Sequence, residues 1–153
     1  MSPEFFLYLP CGSGRAVFEH FLAKSSLVCI PLAQEEEGVA ILGGLSLAKR
    51  RAVMMIQDTG LGNAMTALTT FARAYHVPLF IVATRTGGGR EINSAVHDYS
   101  DRLPQMLTAA GLHHELLDAR LPVSRWAQRL VDLQRYAHVS HQPVIALVDL
   151  RWD

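Results

Sequence analysis

Short, almost uninterrupted apolar runs alternate with helix-patterned segments along this chain, and that alternation narrows the fold more than any other feature. The runs are Phe5–Leu9, Leu27–Leu32, Ala52–Ile56, Pro78–Ala83 and Val144–Val148, with a weaker one at His113–Leu117. A strand that is apolar at successive positions, rather than at every second one, is covered on both faces. Helical patterns fall between the runs, at about Arg15–Lys24, Glu35–Lys49, Gly60–Tyr75, Asp101–Ala110 and Val123–His138. Strand, helix and strand in turn predict a three-layer α/β domain, its mainly parallel central sheet covered by helices on both faces. No repeat and no linker interrupts the 153 residues, so a single domain over 1–153 is expected.

Composition removes several function classes. Hydrophobic residues make up 50% and charged residues 18%, which excludes a disordered chain. The formal net charge is zero, so there is no electrostatic footprint for nucleic acid or an anionic membrane surface. No apolar run reaches the ~20 residues of a membrane span, and Met1-Ser2-Pro3-Glu4 does not open a signal peptide. Cys11 and Cys29 show no metal-ligand spacing and read as free thiols. A soluble, cytoplasmic protein is expected, without a metal site of its own.

In open parallel sheets, ligands bind beyond the carboxyl ends of the strands. Here those ends are Pro10–Gly14, Gln34–Gly38, Asp58–Asn63 and Thr84–Arg90, so every unusual segment falls on one rim. Glu35-Glu36-Glu37 could be no more than a well-charged helix start. The helix that follows, however, is apolar on nearly every side (Val39, Ala40, Ile41, Leu42, Leu45, Leu47, Ala48, with Gly43 and Gly44). Such a helix is buried, either in a core or against another subunit, which would draw at least one of the three carboxylates into a poorly solvated place where it can share a proton. Gly60-Leu61-Gly62-Asn63 opens a helix straight after a strand. Its backbone could approach a ligand closely, or it could be a tight turn capped by Asp58 or Thr59. Thr84–Glu91 joins three glycines to Arg85 and Arg90, a combination suited to an anionic substrate or to a flexible surface loop. His97 could be a general acid near that loop or a solvent-facing side chain. His113, His114, His138 and His141 show no ligand geometry.

Taken in order, Leu9-Pro10-Cys11, Glu35–Ala40, Ile56–Ala64 and Ala83-Thr84-Arg85 resemble the pyrimidine-binding domain of thiamine-diphosphate-dependent decarboxylases. Within that superfamily the motifs are most similar to the alpha subunits of sulfopyruvate decarboxylases, and next to phosphonopyruvate decarboxylases. The resemblance implies a thiamine-diphosphate-dependent carboxy-lyase acting on a small anionic 2-keto acid. It also implies that one glutamate hydrogen-bonds the cofactor's aminopyrimidine ring and promotes its imino tautomer. The family glutamate stands nine residues before a helix glycine; counting back from Gly44 reaches Glu35, with Glu36 and Glu37 as alternatives. By the same carry-over Gly60, Leu61, Gly62 and Asn63 line the pyrimidine, Pro10, Gly12 and Ser13 border the substrate, and Arg85 lies near its distal anion. The family holds Mg²⁺ and the diphosphate through a Gly-Asp-Gly…Asn motif, and no Gly-Asp-Gly occurs here. A beta subunit carrying the pyrophosphate-binding domain is therefore expected, in a hetero-oligomer.

Three features depart from the family pattern: the first strand comes almost at once, Asp58-Thr59 replaces Asn-Ser, and Thr84 stands where Trp is common. The competing readings are a related decarboxylase or carboligase with another acid, and a non-catalytic flavodoxin-like nucleotide-binding module.

Overall fold

Six strands form one sheet in the order β2-β1-β3-β4-β6-β5, and every neighbouring pair is parallel. The structure is a computed structural model and describes residues 3–89 and 91–151. The strands are β1 (Phe5–Tyr8), β2 (Val28–Pro31), β3 (Ala52–Gln57), β4 (Leu79–Thr84), β5 (His113–Leu117) and β6 (Pro143–Val148). Between them run α1 (Arg15–Leu22), α2 (Glu35–Leu47), α3 (Gly60–Ala67), α4 (Ser94–Ala109) and α5 (Trp126–Ser140). The expected parallel α/β architecture is present, and the sheet has no antiparallel member.

The apolar strands bury both faces, as their composition requires. Leu7, Met54, Ile56, Ile81, Ile145 and Leu147 point to the side covered by α2, α3 and α4, where they pack with Val39, Leu42, Leu61, Leu103 and Leu107 in the main core. On the other side Phe6 and Met55 meet Phe18 of α1, while Phe80, Val144 and Ala146 meet Leu133 and Ala137 of α5. Among the described residues, α1 and α5 are the helices that cover this second face. Between them an apolar trough of about 410 Å³ reaches the sheet at Phe6, Val53, Met55 and Val82, with Phe21 and Leu130 on its walls.

Two elements differ from expectation. Helix α4 starts at Ser94 rather than near Asp101. Asn93 provides the start: its backbone is extended and its side chain accepts a hydrogen bond from the Ala95 amide at 3.0 Å. Pro104 lies deep inside this helix, whose face is held by buried Ser100, Leu103 and Leu107. Helix α3 continues as a π-helical turn over Leu68–Arg73. There Thr69 and Thr70 return their hydroxyls to the carbonyls of Met65 and Thr66.

Helix α2 is buried on one face rather than all round. Ala40, Gly44 and Leu47 remain exposed, while Gly38 and Gly43 face inward. A Cβ at Gly43 would stand 2.4 Å from the Phe71 ring, so this glycine sets how closely α2 approaches the segment that continues α3. That close approach brings the starts of α2 and α3 together at the rim. Among the described residues no helix is long and apolar enough to cross a membrane.

Candidate functional site

The three carboxylates that open α2 separate into different environments. Gln34 is extended and Glu35 begins the helix. Glu37 turns back so that its Oε2 accepts the Ala33 amide at 3.0 Å, which is the capping role open to a residue of the first turn. Glu36 and Glu37 are both exposed, whereas Glu35 is only 9% exposed. Of the three, Glu35 is the one carried inward, toward the start of α3.

There Asn63 Nδ2 donates to Glu35 Oε2 at 3.0 Å. Gly60 supplies the space beside the other oxygen: a Cβ at residue 60 would lie 2.3 Å from Glu35 Oε1. A side chain at 60 and a carboxylate here exclude one another, so this glycine is required for close approach rather than for a turn. Leu61 is fully buried beneath them. An open cleft of about 480 Å³, lined by Ala33, Gln34, Glu35, Glu36 and Asn63, leads to this carboxylate. The second glycine, Gly62, clears Tyr99 of α4, whose hydroxyl would stand 2.6 Å from a Cβ at 62. That hydroxyl is sealed from solvent and has no hydrogen-bond partner among the described residues. Burial, and then the charge of Asp58, push its pKa above the ordinary 10.0.

The turn before α3 is not capped in the expected way. The Thr59 hydroxyl accepts from Gln57 Nε2 at 2.8 Å, and α3 has no side-chain cap. The Asp58 carboxylate, fully buried, turns instead to the β4 loop, where it accepts the Thr86 amide at 3.0 Å and the Thr86 hydroxyl at 2.7 Å. Ser100 Oγ lies 2.6 Å from the same Thr86 hydroxyl. Asp58 thus ties three segments of the rim together: the β3–α3 turn, the glycine loop and α4.

At the end of β1, Cys11 Sγ and Ser13 Oγ each lie 3.1 Å from Thr84 Oγ1, which is fully buried. Pro10 and Gly12 are exposed beside this small polar cluster. The loop after β4 is pinned at several points. The Arg85 amide donates to the Val148 carbonyl, and Arg85 Nη2 donates to Asp101 Oδ1 at 2.9 Å. Arg85 charge also helps hold the Asp118 carboxyl below its usual range, after the stronger hydrogen bonding from Arg120. Arg151, just past β6, donates to the carbonyls of Thr86 and Gly87 and pairs with Glu91 Oε2 at 2.9 Å. Arg90 lies outside the described residues. His97 is half-exposed, with Nδ1 3.6 Å from Asp101 Oδ2.

The rim therefore carries two clusters, Glu35 with Gly60 and Asn63, and Cys11, Ser13 and Thr84; Cys11 and Thr84 were not among the expected site residues. Sequence reasoning missed Asp101 and Arg151. Asp101 lies in a helix placed too late, and Arg151 follows the last strand, whose carboxyl end had not been counted as part of the rim. Among the described residues no three His, Cys, Asp or Glu side chains converge as a metal site.

No family model matches the chain. Curated relatives do. Over 137 residues it is 28% identical to the sulfopyruvate decarboxylase subunit alpha of Methanococcus maripaludis, a match covering 90% of this chain and 68% of that one. The corresponding subunit of Methanothermobacter thermautotrophicus is 28% identical over 92 residues, which is 60% of this chain and 56% of that one. Sulfopyruvate decarboxylase of Methanosarcina acetivorans is 34% identical over 146 residues, 95% of this chain but only 36% of that longer protein. The chain thus spans between about half and two thirds of the alpha subunits it matches, and about a third of the longer relative. Among solved structures, 2-oxoglutarate:ferredoxin oxidoreductase from Magnetococcus marinus superposes with a TM-score of 0.75 at 20% identity, over 96% of this chain and 26% of that one. The resemblance to sulfopyruvate decarboxylase alpha subunits extends over most of the chain, and the structural likeness shows the fold.

Proposed function

We propose that this chain is the alpha subunit of a thiamine-diphosphate-dependent 2-keto acid decarboxylase and supplies the pyrimidine half of its site. The substrate we assign is sulfopyruvate, converted to sulfoacetaldehyde and CO2 as a proton replaces the lost carboxylate. The observation that carries this assignment is the seat of Glu35: one buried carboxylate at a helix start, fixed by Asn63 and given room by Gly60.

That seat fits an aminopyrimidine. The ring needs an acidic partner at one nitrogen, backbone that can come close, and an open approach. Glu35, the Gly60–Asn63 turn and the adjoining cleft provide these in turn. When bound, thiamine diphosphate supplies the carbon nucleophile and electron sink that decarboxylation of a 2-keto acid requires. Glu35 would be the acidic partner of a ring nitrogen, with Asn63 bonding Oε2 and orienting the carboxyl group. By the family carry-over the turn Gly60, Leu61, Gly62 and Asn63 would run along the pyrimidine; of these four, Asn63 lines the cleft and Leu61 is buried beneath it. Pro10, Gly12 and Ser13 border the substrate, and Arg85 meets its distal sulfonate.

No Gly-Asp-Gly occurs in these 153 residues, and we assign Mg²⁺ and the diphosphate to a pyrophosphate-binding domain carried by a beta subunit in a hetero-oligomer. Names of the relatives as "subunit alpha" support that arrangement.

The test is reconstitution. Thiamine diphosphate with Mg²⁺ should bind the assembled pair and bind the isolated chain weakly, with calorimetry as the readout. A panel of sulfopyruvate, phosphonopyruvate and pyruvate should then rank sulfopyruvate first by kcat/KM. Tight binding of a nucleotide by the lone chain would point to the nucleotide-binding module instead. Preference for phosphonopyruvate would keep the enzyme class and change the substrate.

A further inference from the structure

Asp101 has a place in this site that neither the motifs nor the relatives assign. It lies on α4, and its Oδ1 accepts two hydrogen bonds: from Arg85 Nη2 at 2.9 Å and from the Gly88 amide at 2.9 Å. Gly87 passes so close that a Cβ there would stand 2.5 Å from the same oxygen. One carboxylate oxygen therefore joins the arginine to the glycine loop that follows it.

The rest of the guanidinium is left uncommitted. Arg85 Nε is sealed from solvent and has no acceptor, and Nη1 makes no hydrogen bond among the described residues. The Arg85 side chain is only 17% exposed. This largely desolvated guanidinium is ion-paired with Asp101 through Nη2, and Nη1 keeps donors for a second anion. An arginine on a free stem would lose its rotamer freedom on binding, whereas one already held loses less.

On the assignment of Arg85 to the substrate's distal anion, we propose that Asp101 is a positioning residue that sets specificity for a substrate with a tetrahedral anionic tail. It acts through Arg85, by fixing the direction in which the free guanidinium nitrogens face. It has no contact with the reacting atoms. Its Oδ1 is shared between Arg85 Nη2 and the Gly88 amide. His97 Nδ1, 3.6 Å from Oδ2, is the other charge-bearing group at this carboxylate.

Two readouts on the assembled pair test this. The first is calorimetric binding of 3-sulfopropanoate, an unreactive anion of the same length, to wild type, Asp101→Asn, Arg85→Gln and the double variant. Asp101→Asn should weaken binding about tenfold, and the double variant should be no weaker than Arg85→Gln alone. The second is the ratio of kcat/KM for sulfopyruvate to that for pyruvate, which should fall about tenfold in Asp101→Asn. Far-UV circular dichroism and the thermal midpoint establish that the variants fold; Asp101→Glu should restore part of the selectivity if the arginine can still be gripped. Tighter binding in Asp101→Asn would overturn the proposal, because the carboxylate would then compete with the substrate for Arg85. Additive losses in the double variant would overturn it too. Should Arg85→Gln itself leave sulfopropanoate binding and selectivity untouched, the assignment of Arg85 fails, and Asp101 falls with it. A selective loss in Arg85→Gln with none in Asp101→Asn rejects the role of Asp101 alone.

Discussion

Gly60 lies against Glu35 so closely that a single added methyl group would come within 2.3 Å of the carboxylate oxygen Oε1. The two residues belong to different helices, so the carboxylate's position depends on the spacing of α2 and α3. Gly60→Ala is expected to push Glu35 out of its seat. Overpacking of this kind costs about 1–3 kcal/mol of stability, readable in urea unfolding. Turnover by the assembled enzyme should fall further than that loss explains.

Glu35→Gln keeps the shape and the contact with Asn63 while removing the ionisable group. Turnover should drop by roughly 10²–10⁴-fold with assembly retained, measured by steady-state kinetics and gel filtration with the beta subunit. Glu36→Gln, at an exposed position, should leave turnover near normal. Equal losses at both positions would remove Glu35 from its assigned role.

Thr86→Val takes one of its two donors from the buried Asp58 carboxylate and leaves the amide. Loss of a hydrogen bond to a buried charge should cost about 1.5–3 kcal/mol. Because Asp58 links the β3–α3 turn to the glycine loop, hydrogen exchange should quicken at Gly87 and Gly88 ahead of the core strands.

Tyr99 gives an alkaline signature. Burial first, then the nearby Asp58 charge, raise its pKa above 10.0 in the folded chain. The folded state then holds this proton more tightly than the unfolded state. The resulting stability is full below pH 10 and is lost as pH rises from there through the folded pKa. Ultraviolet titration should show one late tyrosine that is absent in Tyr99→Phe, and the variant should lose less stability above pH 10. Its hydroxyl has no partner among the described residues, so the variant at neutral pH should be within about 1 kcal/mol of the wild type.

Much of the fold could be read in the sequence because a parallel sheet writes itself in apolar runs. The strands from Phe5, Ala52 and His113 begin where the apolar pattern places them. The choice of Glu35 came from the family register counted back from Gly44; the apolar helix implied only that at least one of the three carboxylates is drawn inward, and Glu35 is the buried one. The contacts that seat it were not legible. Gly60 meets Glu35 and Asp58 meets Thr86 across gaps in sequence that no periodicity spans, and Arg151 reaches the Thr86 and Gly87 carbonyls from the far end of the chain. The start of α4 was placed late, near Asp101, while the decisive signal is one Asn93 side chain bonding a neighbouring amide. The π-helical turn at Leu68–Arg73 carries no local mark beyond two threonines.

The trough between α1 and α5 also governs how this chain behaves in a test tube. Its floor of Phe6, Val53, Met55 and Val82 is a greasy strip on a molecule whose formal charge is zero, so little long-range repulsion keeps two copies apart. In isolation the protein should take up the dye ANS while fully folded. It should also salt out early in ammonium sulfate and keep better at pH values well removed from neutrality but still within its folding range. A dye signal that elsewhere diagnoses a molten state will here report an intact native surface.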